Sequence, residues 1–524
     1  MANTPSRAEQ LAALRAGQRW DVLVIGGGAS GLGAAVDAAA RGYSTLLLER
    51  GDYASGTSSR STKLIHGGVR YLRQGDLGLV RHALIERRRL LANAGHLVHP
   101  LPFVIPARSA WQRLYYGSGL KLYDLLAGAS NLAPSRLLDR RQTLAALPGL
   151  SPHGLSGGVQ YWDGQFDDAR LAIALLRTAS DLGATCLNYL PVSGLLSAGG
   201  KVCGVVAEDG ESGERFELSA KVVINATGVY VDAVRRFEAP AASPVLMPSQ
   251  GIHLVLDAAF LPGETALLIP ETADGRVMFA IPWQGKVLLG TTDTERHDLP
   301  DEPQPFAGEV DFLLQTAVGV LAQAPQRADI RSAFAGLRPL LHPDNEGKGG
   351  TAALSREHAV LVSTGGLVTV AGGKWTTYRL MAEQVVDRAA AVGQLPAVPC
   401  TTARLKLHGW NGLASGPYGA DAPLLAALPG HDRLLHPDLT LTEAMVRFAL
   451  RHEGARTIED ILARRHRALF LDARAAAACI APVGEIVAEE LGLSAERLAA
   501  LVRQAGQRAG QFLLDGGAPA GTQR

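Results

Sequence analysis

Apolar and polar positions follow three rhythms along this chain, and each predicts a different element. Residues 22–25 are a short apolar run rich in β-branched side chains, too brief for a helix, which predicts a buried parallel strand. Glycines follow at 26, 28 and 31, then an alanine-rich stretch, 34–41, that suits a helix and stops at Gly42. A second apolar strand, 45–48, ends in Glu49. Residues 77–94 carry apolar positions at helical spacing around Arg87, Arg88 and Arg89, the pattern of an amphipathic surface helix. Asp167 and Asp168 precede another helical run and suit N-terminal acids; strands follow near 185–190, 201–208 and 221–225. From 244 to 343 the rhythm turns to period two with regular Gly and Pro breaks, which predicts an antiparallel sheet. A strand at 367–371, Gly372, Gly373, Lys374 and a helix to about 389 come next. Pro- and Gly-rich residues interrupt at 396–423, and 440–514 returns to helical spacing, as a separate helical domain would.

The first of these units carries chemistry. Gly26, Gly28 and Gly31 occupy G-x-G-x-x-G positions: one for the tight turn, one for close approach to a pyrophosphate, one for packing helix on strand. The helix N-terminus offers free N–H groups and its dipole to a diphosphate, and Glu49 can accept hydrogen bonds from a ribose 2′-OH. Strand, glycines, helix, strand and acid in this order predict a dinucleotide site, with FAD and NAD both open at this point. Ala226-Thr227-Gly228 after the strand at 221–225 is a second place where backbone approaches a ligand closely. Gly372-Gly373-Lys374 is a third. It is not a Walker A loop, because Val368 and Trp375 stand where that motif needs Gly and Ser or Thr.

Composition sets limits. A chain of 524 residues exceeds one core and divides into two or three domains; 47% hydrophobic and 19% charged residues describe a globular protein. A net charge of +1 gives no global argument for nucleic acid. Four cysteines without C-x-x-C spacing, Cys186, Cys203, Cys400 and Cys479, indicate neither a metal site nor a disulfide framework and fit a reducing compartment. The first twenty residues lack an apolar h-region, and no window offers the ~18 to 20 uncharged apolar residues of a spanning helix. Residues 109–126 are a different matter. They cluster Trp111, Tyr115, Tyr116 and Tyr123 with Arg113 and Lys121, a mix that suits either a segment lying in a bilayer interface or a core helix with aromatic packing.

Residues 51–76 form a long loop of glycines, hydroxyls and cations, including Arg60, Lys63, His66, Arg70 and Arg73; such a loop inside a compact domain is functional when it is not disordered. Ser58, Ser59, Ser61 and Thr62 can bond phosphate oxygens and ring atoms, and His66-Gly67-Gly68 lets backbone approach a flat cofactor. The run TSSRSTKLIHGGVRYL (57–72) resembles the signature of FAD-dependent glycerol-3-phosphate dehydrogenases. The segments YWDGQFDDARL, INATGVYVD, IPWQGKVLLGTTD, GLRPL, VAGGKWTTYRLMAE and ARTIEDILARRHRALFLDARAA extend the resemblance over nearly the whole chain. Val229-Tyr230 replaces a more usual Pro-Trp, and Trp375 a more usual leucine.

The resemblance implies an α/β (α+β overall) protein: a Rossmann-like FAD-binding domain in three parts (20–100, 161–243 and 344–395), a cap and candidate membrane-interface segment (101–160), an antiparallel-sheet substrate domain (244–343), a linker (396–439) and a C-terminal helical domain (440–524). It implies FAD held by Gly26, Gly28, Gly31, Glu49, Ser58, Ser59, Lys63, Leu64, His66, Gly67, Gly68, Ala226, Thr227, Gly228, Gly372, Gly373, Lys374, Thr376 and Thr377. It places Arg70, Tyr71, His253, Arg338 and Lys374 around glycerol 3-phosphate, with His253 and Arg338 as the catalytic pair and no metal. His253 suits a general base, since an unperturbed imidazole titrates near ~6.5. Arg464, Arg465, His466 and Arg467 are expected to dock the C-terminal domain. The implied partners are a membrane quinone and the inner-membrane surface, with monotopic attachment from the cytoplasmic side; a homodimer is allowed and nucleic acid is not expected. An oxidase that reduces O₂ shares these motifs, and a non-catalytic FAD sensor is the remoter rival.

Overall fold

A computed structural model describes residues 6–68, 77–272, 274–342 and 358–514. The strand Trp20–Ile25 lies at the centre of an eight-stranded sheet, flanked in parallel by Thr45–Leu48 and Arg215–Asn225. Its residues from Val22 onward are buried on both faces, which is why the sequence shows a continuous apolar run instead of alternation. Register decides where the chemistry falls. Ile25 pairs with both Leu48 and Asn225, so Gly26, Glu49 and Ala226 emerge together at the carboxyl edge of the sheet. Val368–Gly372 joins beside Arg215–Asn225 and brings Gly373 and Lys374 to the same edge.

Helices Ala29–Ala40, Asp168–Asp181 and Tyr378–Val392 cover one face in a shared core. The alanine-rich composition of the first has a steric cause: a Cβ on Gly33 would stand 2.9 Å from the Tyr378 ring. The other face packs on Val192–Ala198, Lys201–Glu208 and the start of Arg215–Asn225, with Leu11 and Leu14 from the N-terminal helix Arg7–Arg15.

The second sheet has ten strands and is built on Leu246–Asp257, which pairs antiparallel with Lys286–Gly290 and Ser332–Leu341. It is wider than the period-two region 244–343. Val98–Ala107, Arg136–Asp139, Gly157–Phe166 and the short Leu64–Ile65 belong to it too, so the sheet crosses the segments read from sequence as FAD-binding and cap. Pro100, Pro102 and Pro106 hid the first of these strands; being of one parity, their missing N–H groups fall on one edge, where a strand tolerates them.

Two further readings change. Leu77–Asn93 is not simply a surface helix, because Arg87 is fully buried and donates to Asp163 at 2.7 Å. The aromatic helix Ala110–Ala127 is divided: Tyr123 is a core residue bonded to Asp163 at 2.9 Å, while Trp111, Leu114, Tyr115, Leu122 and Leu125 are exposed.

The C-terminal helices, from Glu443–His452 to Ala495–Gly510, dock through buried charge. Arg464 and Arg465 both donate to Asp52, and Arg467 donates to Ser59 O at 2.7 Å. An aromatic ladder, Phe334–Phe470–Phe512, joins them to the second sheet with centroid spacings of 4.7 and 5.0 Å.

Candidate functional site

A cavity of about 870 Å³ opens at the carboxyl edge of the parallel sheet and runs to the second sheet. Its walls come from the three glycine turns and the hydroxyl-rich loop. Gly26 has φ +111°, and a Cβ there would lie 2.6 Å from Ala226 O; on Gly31 it would lie 1.9 Å from Gly26 O. Both positions therefore require glycine. Gly28 caps helix Ala29–Ala40 without a side-chain hydrogen bond of its own, and Ser58 Oγ accepts from Ala29 N at 2.9 Å. Glu49 accepts from Gly27 N at 2.6 Å and Gly51 N at 2.8 Å. Burial raises its pKa against those two donors.

The third turn locks the loop. Gly372 and Gly373 have φ of +78° and +92°; Trp375 Nε1 donates to Ser58 O at 2.9 Å, and Thr376 Oγ1 meets both His66 N and His66 O at 3.3 Å. Trp375, unusual in sequence, thus pins the hydroxyl-rich loop to the third glycine turn.

At the far end stand His253, Thr62 and Arg338. His253 is 2% exposed and lies across the ladder from Gly290 and Phe334, stacked on the Phe334 ring; its Nε2 is 3.0 Å from Thr62 Oγ1, and its buried Nδ1 has no hydrogen-bond partner among the described residues. Burial, with Lys63 and Arg338 nearby, pushes its pKa well below 6.5, so the near-neutral titration expected from sequence does not hold. Arg338 is held by Thr292 O at 2.8 Å, Thr291 Oγ1 at 3.0 Å, Gln250 O at 3.2 Å and Asp293 at 3.4 Å. A Cβ on Gly251 would collide with the guanidinium at 2.0 Å, which explains the glycine beside it.

Of the residues expected to hold cofactor or substrate, Gly26, Gly28, Glu49, Ser58, Leu64, His66, Ala226, Thr227, Gly228, His253, Arg338, Gly372, Gly373, Lys374 and Thr376 line this one cavity. Gly31, Ser59, Lys63, Gly67, Gly68 and Thr377 are not among its described lining residues. Gly67 N donates to Tyr123 Oη at 3.0 Å, and Thr377 Oγ1 to Lys374 O at 3.4 Å. Lys63 is completely buried, its Nζ 2.7 Å from Asp168 and 2.8 Å from Ser59 O. Arg70 and Tyr71, with Arg73, lie outside the described residues. Sequence reasoning missed Thr62 as the partner of His253, Asp293 beside Arg338, Tyr230 with Arg50 stacked 4.0 Å above its ring, and the C-terminal residues Glu459, Arg464 and Arg508, which also line the cavity. Thr62, Tyr230, Asp293, Glu459 and Arg464 each lie inside a segment that carries the resemblance, which was the signal available; Arg50 and Arg508 lie outside all of them.

These walls fit a dinucleotide flavin. A glycine-started helix end, with only Ala29 N taken up by Ser58, meets the diphosphate position, an acid stands where a ribose would lie, and positive-φ glycines leave room for a flat ring near His253 and Lys374. Comparison with known proteins agrees. Residues 21–379 match the family model described as FAD dependent oxidoreductase, and 370–498 match the C-terminal domain of alpha-glycerophosphate oxidase. The chain is 40% identical over 542 residues to a probable mitochondrial glycerol-3-phosphate dehydrogenase of Caenorhabditis elegans, covering 96% of this chain and 74% of that one. It is 38% identical over 535 residues to the mitochondrial glycerol-3-phosphate dehydrogenase of Rattus norvegicus, covering 94% and 73%. Among solved structures, the glycerol-3-phosphate dehydrogenase from Bacillus halodurans complexed with FAD superposes over 100% of both chains with a TM-score of 0.79 and 28% identity. The L-alpha-glycerophosphate oxidase of Mycoplasma pneumoniae shares the fold at a TM-score of 0.55 and 17% identity, over 73% of this chain and 97% of its own.

Proposed function

We propose a reaction for a chain that belongs to the FAD-dependent oxidoreductases and, within them, to the glycerol-3-phosphate dehydrogenases: oxidation of sn-glycerol 3-phosphate at C2 to dihydroxyacetone phosphate, with electrons passed on to a membrane quinone. Bound FAD supplies a two-electron acceptor that takes hydride at N5. The chain's own part is to bind, orient and deprotonate. Arg338 and Lys374 grip the phosphate, Arg338 through a planar fork and Lys374 as a point charge, with Arg70 and Tyr71 completing the grip by family resemblance. Support for Arg338 comes from its geometry: three backbone or hydroxyl oxygens fix the guanidinium in the cavity wall. His253 takes the C2 hydroxyl proton through Thr62 or directly. Depressed basicity keeps this imidazole neutral at physiological pH, able to accept a proton as hydride leaves and quick to release it afterwards.

One observation carries the reading: a single cavity joins the glycine turns of a dinucleotide site to His253, Arg338 and Lys374. The test is anaerobic addition of glycerol 3-phosphate to the yellow protein. The flavin absorbance should bleach within the mixing time of a turnover; a ring that stays oxidised would remove the proposed substrate.

Quinone as acceptor is supported by helix Ala110–Ala127. Trp111, at 72% exposure, and Leu125, at 76%, mark an apolar face at helical spacing with Leu114, Tyr115 and Leu122, suited to lying in a bilayer interface. No helix among the described residues is long and apolar enough to cross a membrane. An O₂-reducing oxidase is the alternative, and peroxide release against quinone reduction by the purified protein separates the two.

A further inference from the structure

Among the charged side chains that line the cavity and that the proposed chemistry does not use, six form one chain of ion pairs: Arg60, Glu302, Arg508, Glu459, Arg464 and Asp52. They are joined end to end. Arg60 donates to Glu302; Glu302 Oε2 is 3.0 Å from Arg508 Nη1; Arg508 Nε is 3.0 Å from Glu459; Glu459 is 2.9 Å from Arg464; and Arg464 reaches Asp52 at 2.5 Å. The belt ties together three parts of the chain that are far apart in sequence. Asp52 and Arg60 belong to the loop after strand Thr45–Leu48, Glu302 to the connection ahead of helix Ala307–Val318, and the rest to the C-terminal helices.

Charge and burial say what the belt does. Three cations face three anions, so it presents little uncompensated charge to a phosphate, and its role is to hold walls together. Burial would raise the carboxyl of Glu459, yet Arg464 and Arg508 outweigh it and bring the pKa down to about 2, keeping the link ionised. The ends are sealed, with Asp52 at 0% and Arg60 and Glu302 side chains at 4% exposure, whereas Arg508 is at 23% and Glu459 at 25%. The most accessible joint is therefore the one made by Arg508, which lies beyond residue 498, where the matched C-terminal model stops.

We propose that this belt is a clasp closing the cavity over bound FAD, with Arg508 as the link that opens, so that the last helix of the C-terminal domain sets how long the cofactor stays. The inference rests on the cavity holding FAD and is independent of the substrate. Its readout is cofactor release: holoprotein is diluted and the rise in flavin fluorescence is followed as FAD leaves. Arg508→Ala should release FAD roughly tenfold faster or more, since truncating one partner of a hydrogen-bonded pair acts on the off-rate. Added salt should speed release from the parent and have little effect on Arg508→Ala, because the joint at Arg508, the more accessible one, is the one that ions screen. Glu302→Gln, which breaks the same joint from the other side, should behave like Arg508→Ala, and Arg508→Lys should restore part of the retention. Arg503→Ala, exposed on the same helix, should release at the parent rate. Unchanged release from both Arg508→Ala and Glu302→Gln overturns the proposal. So does equal acceleration in Arg503→Ala, or an unfolding temperature lowered alike with and without FAD while release stays at the parent rate. Reduction by glycerol 3-phosphate is read separately, so its failure would leave this result standing.

Discussion

Lys63 and Arg338 look alike in sequence, each a cation in a motif that points to the cavity, and they end in opposite situations. Lys63 is enclosed; burial lowers its pKa to about 7, opposed by Asp168, while Arg467 adds to the lowering. Asp168 is shifted down in turn by Lys63 and Arg467 despite its burial, so the two form a buried ion pair that anchors the loop. Nothing local reveals this, because Asp168 comes 105 residues later. Arg338 keeps a face on the cavity and is fixed by oxygens from residues 250, 291 and 292. If it anchors the phosphate, Arg338→Ala should raise KM for glycerol 3-phosphate roughly ten- to hundredfold, the loss expected for hydrogen bonds to a charged group. Glycerol, lacking the phosphate, should lose far less. Steady-state kinetics with both substrates check this, and equal losses would reject the anchoring role.

Single elements were legible where one rhythm dominated. The strand Trp20–Ile25, the helix after Gly28 and the C-terminal helices fall where periodicity puts them, since each is long or strongly patterned. Val98–Ala107 was missed because its prolines read as loop, and only pairing with Gly157–Phe166 makes it a strand. The aromatic helix Ala110–Ala127 was ambiguous for a physical reason: it serves both purposes, with Tyr123 inside and Trp111 outside. Its exposed face gives a prediction for the proposed membrane contact. Burying a large apolar side chain is worth about 1.5–3 kcal/mol, so Trp111→Glu with Leu125→Glu should weaken binding to anionic phospholipid vesicles at least tenfold in co-sedimentation. Flavin reduction by substrate should be untouched, as neither residue lines the cavity. Undiminished vesicle binding would count against this face.

At the scale of the molecule, neither sheet is contiguous in sequence. The strands that flank Trp20–Ile25 come from residues 45 and 215 onward, and the ten-stranded sheet gathers pieces from 64 to 341. Pattern reading finds the strands but not this order. Docking of the C-terminal helices was readable only as a cluster of arginines; the anions that receive them, Asp52 and Asp168, lie hundreds of residues earlier in the chain. The fold also carries a global pH dependence. Burial lowers the pKa of His96, His253, His452 and His466, with His96 and His466 down to about 4. A histidine whose pKa is lowered on folding binds a proton more readily in the unfolded chain, near ~6.5, so stability falls as pH drops below that value. His408 has the opposite sign: hydrogen bonds to Asp181 and Asp421 outweigh its burial, and the stability it contributes is lost as pH rises through its raised pKa. Denaturant unfolding should therefore show less stability at pH 5 than at pH 7; equal values would contradict the lowered basicity assigned to the four.

The belt that runs from Asp52 to Arg508 also imposes an order on biogenesis. A nascent chain can assemble the central strands once residue 225 has left the ribosome, and the third glycine turn once residue 373 has. Arg508 is translated long after either. If the clasp holds FAD as proposed, flavin that enters before the helix carrying Arg508 is seated is not yet latched, and lasting loading also reports that this helix has been made and docked.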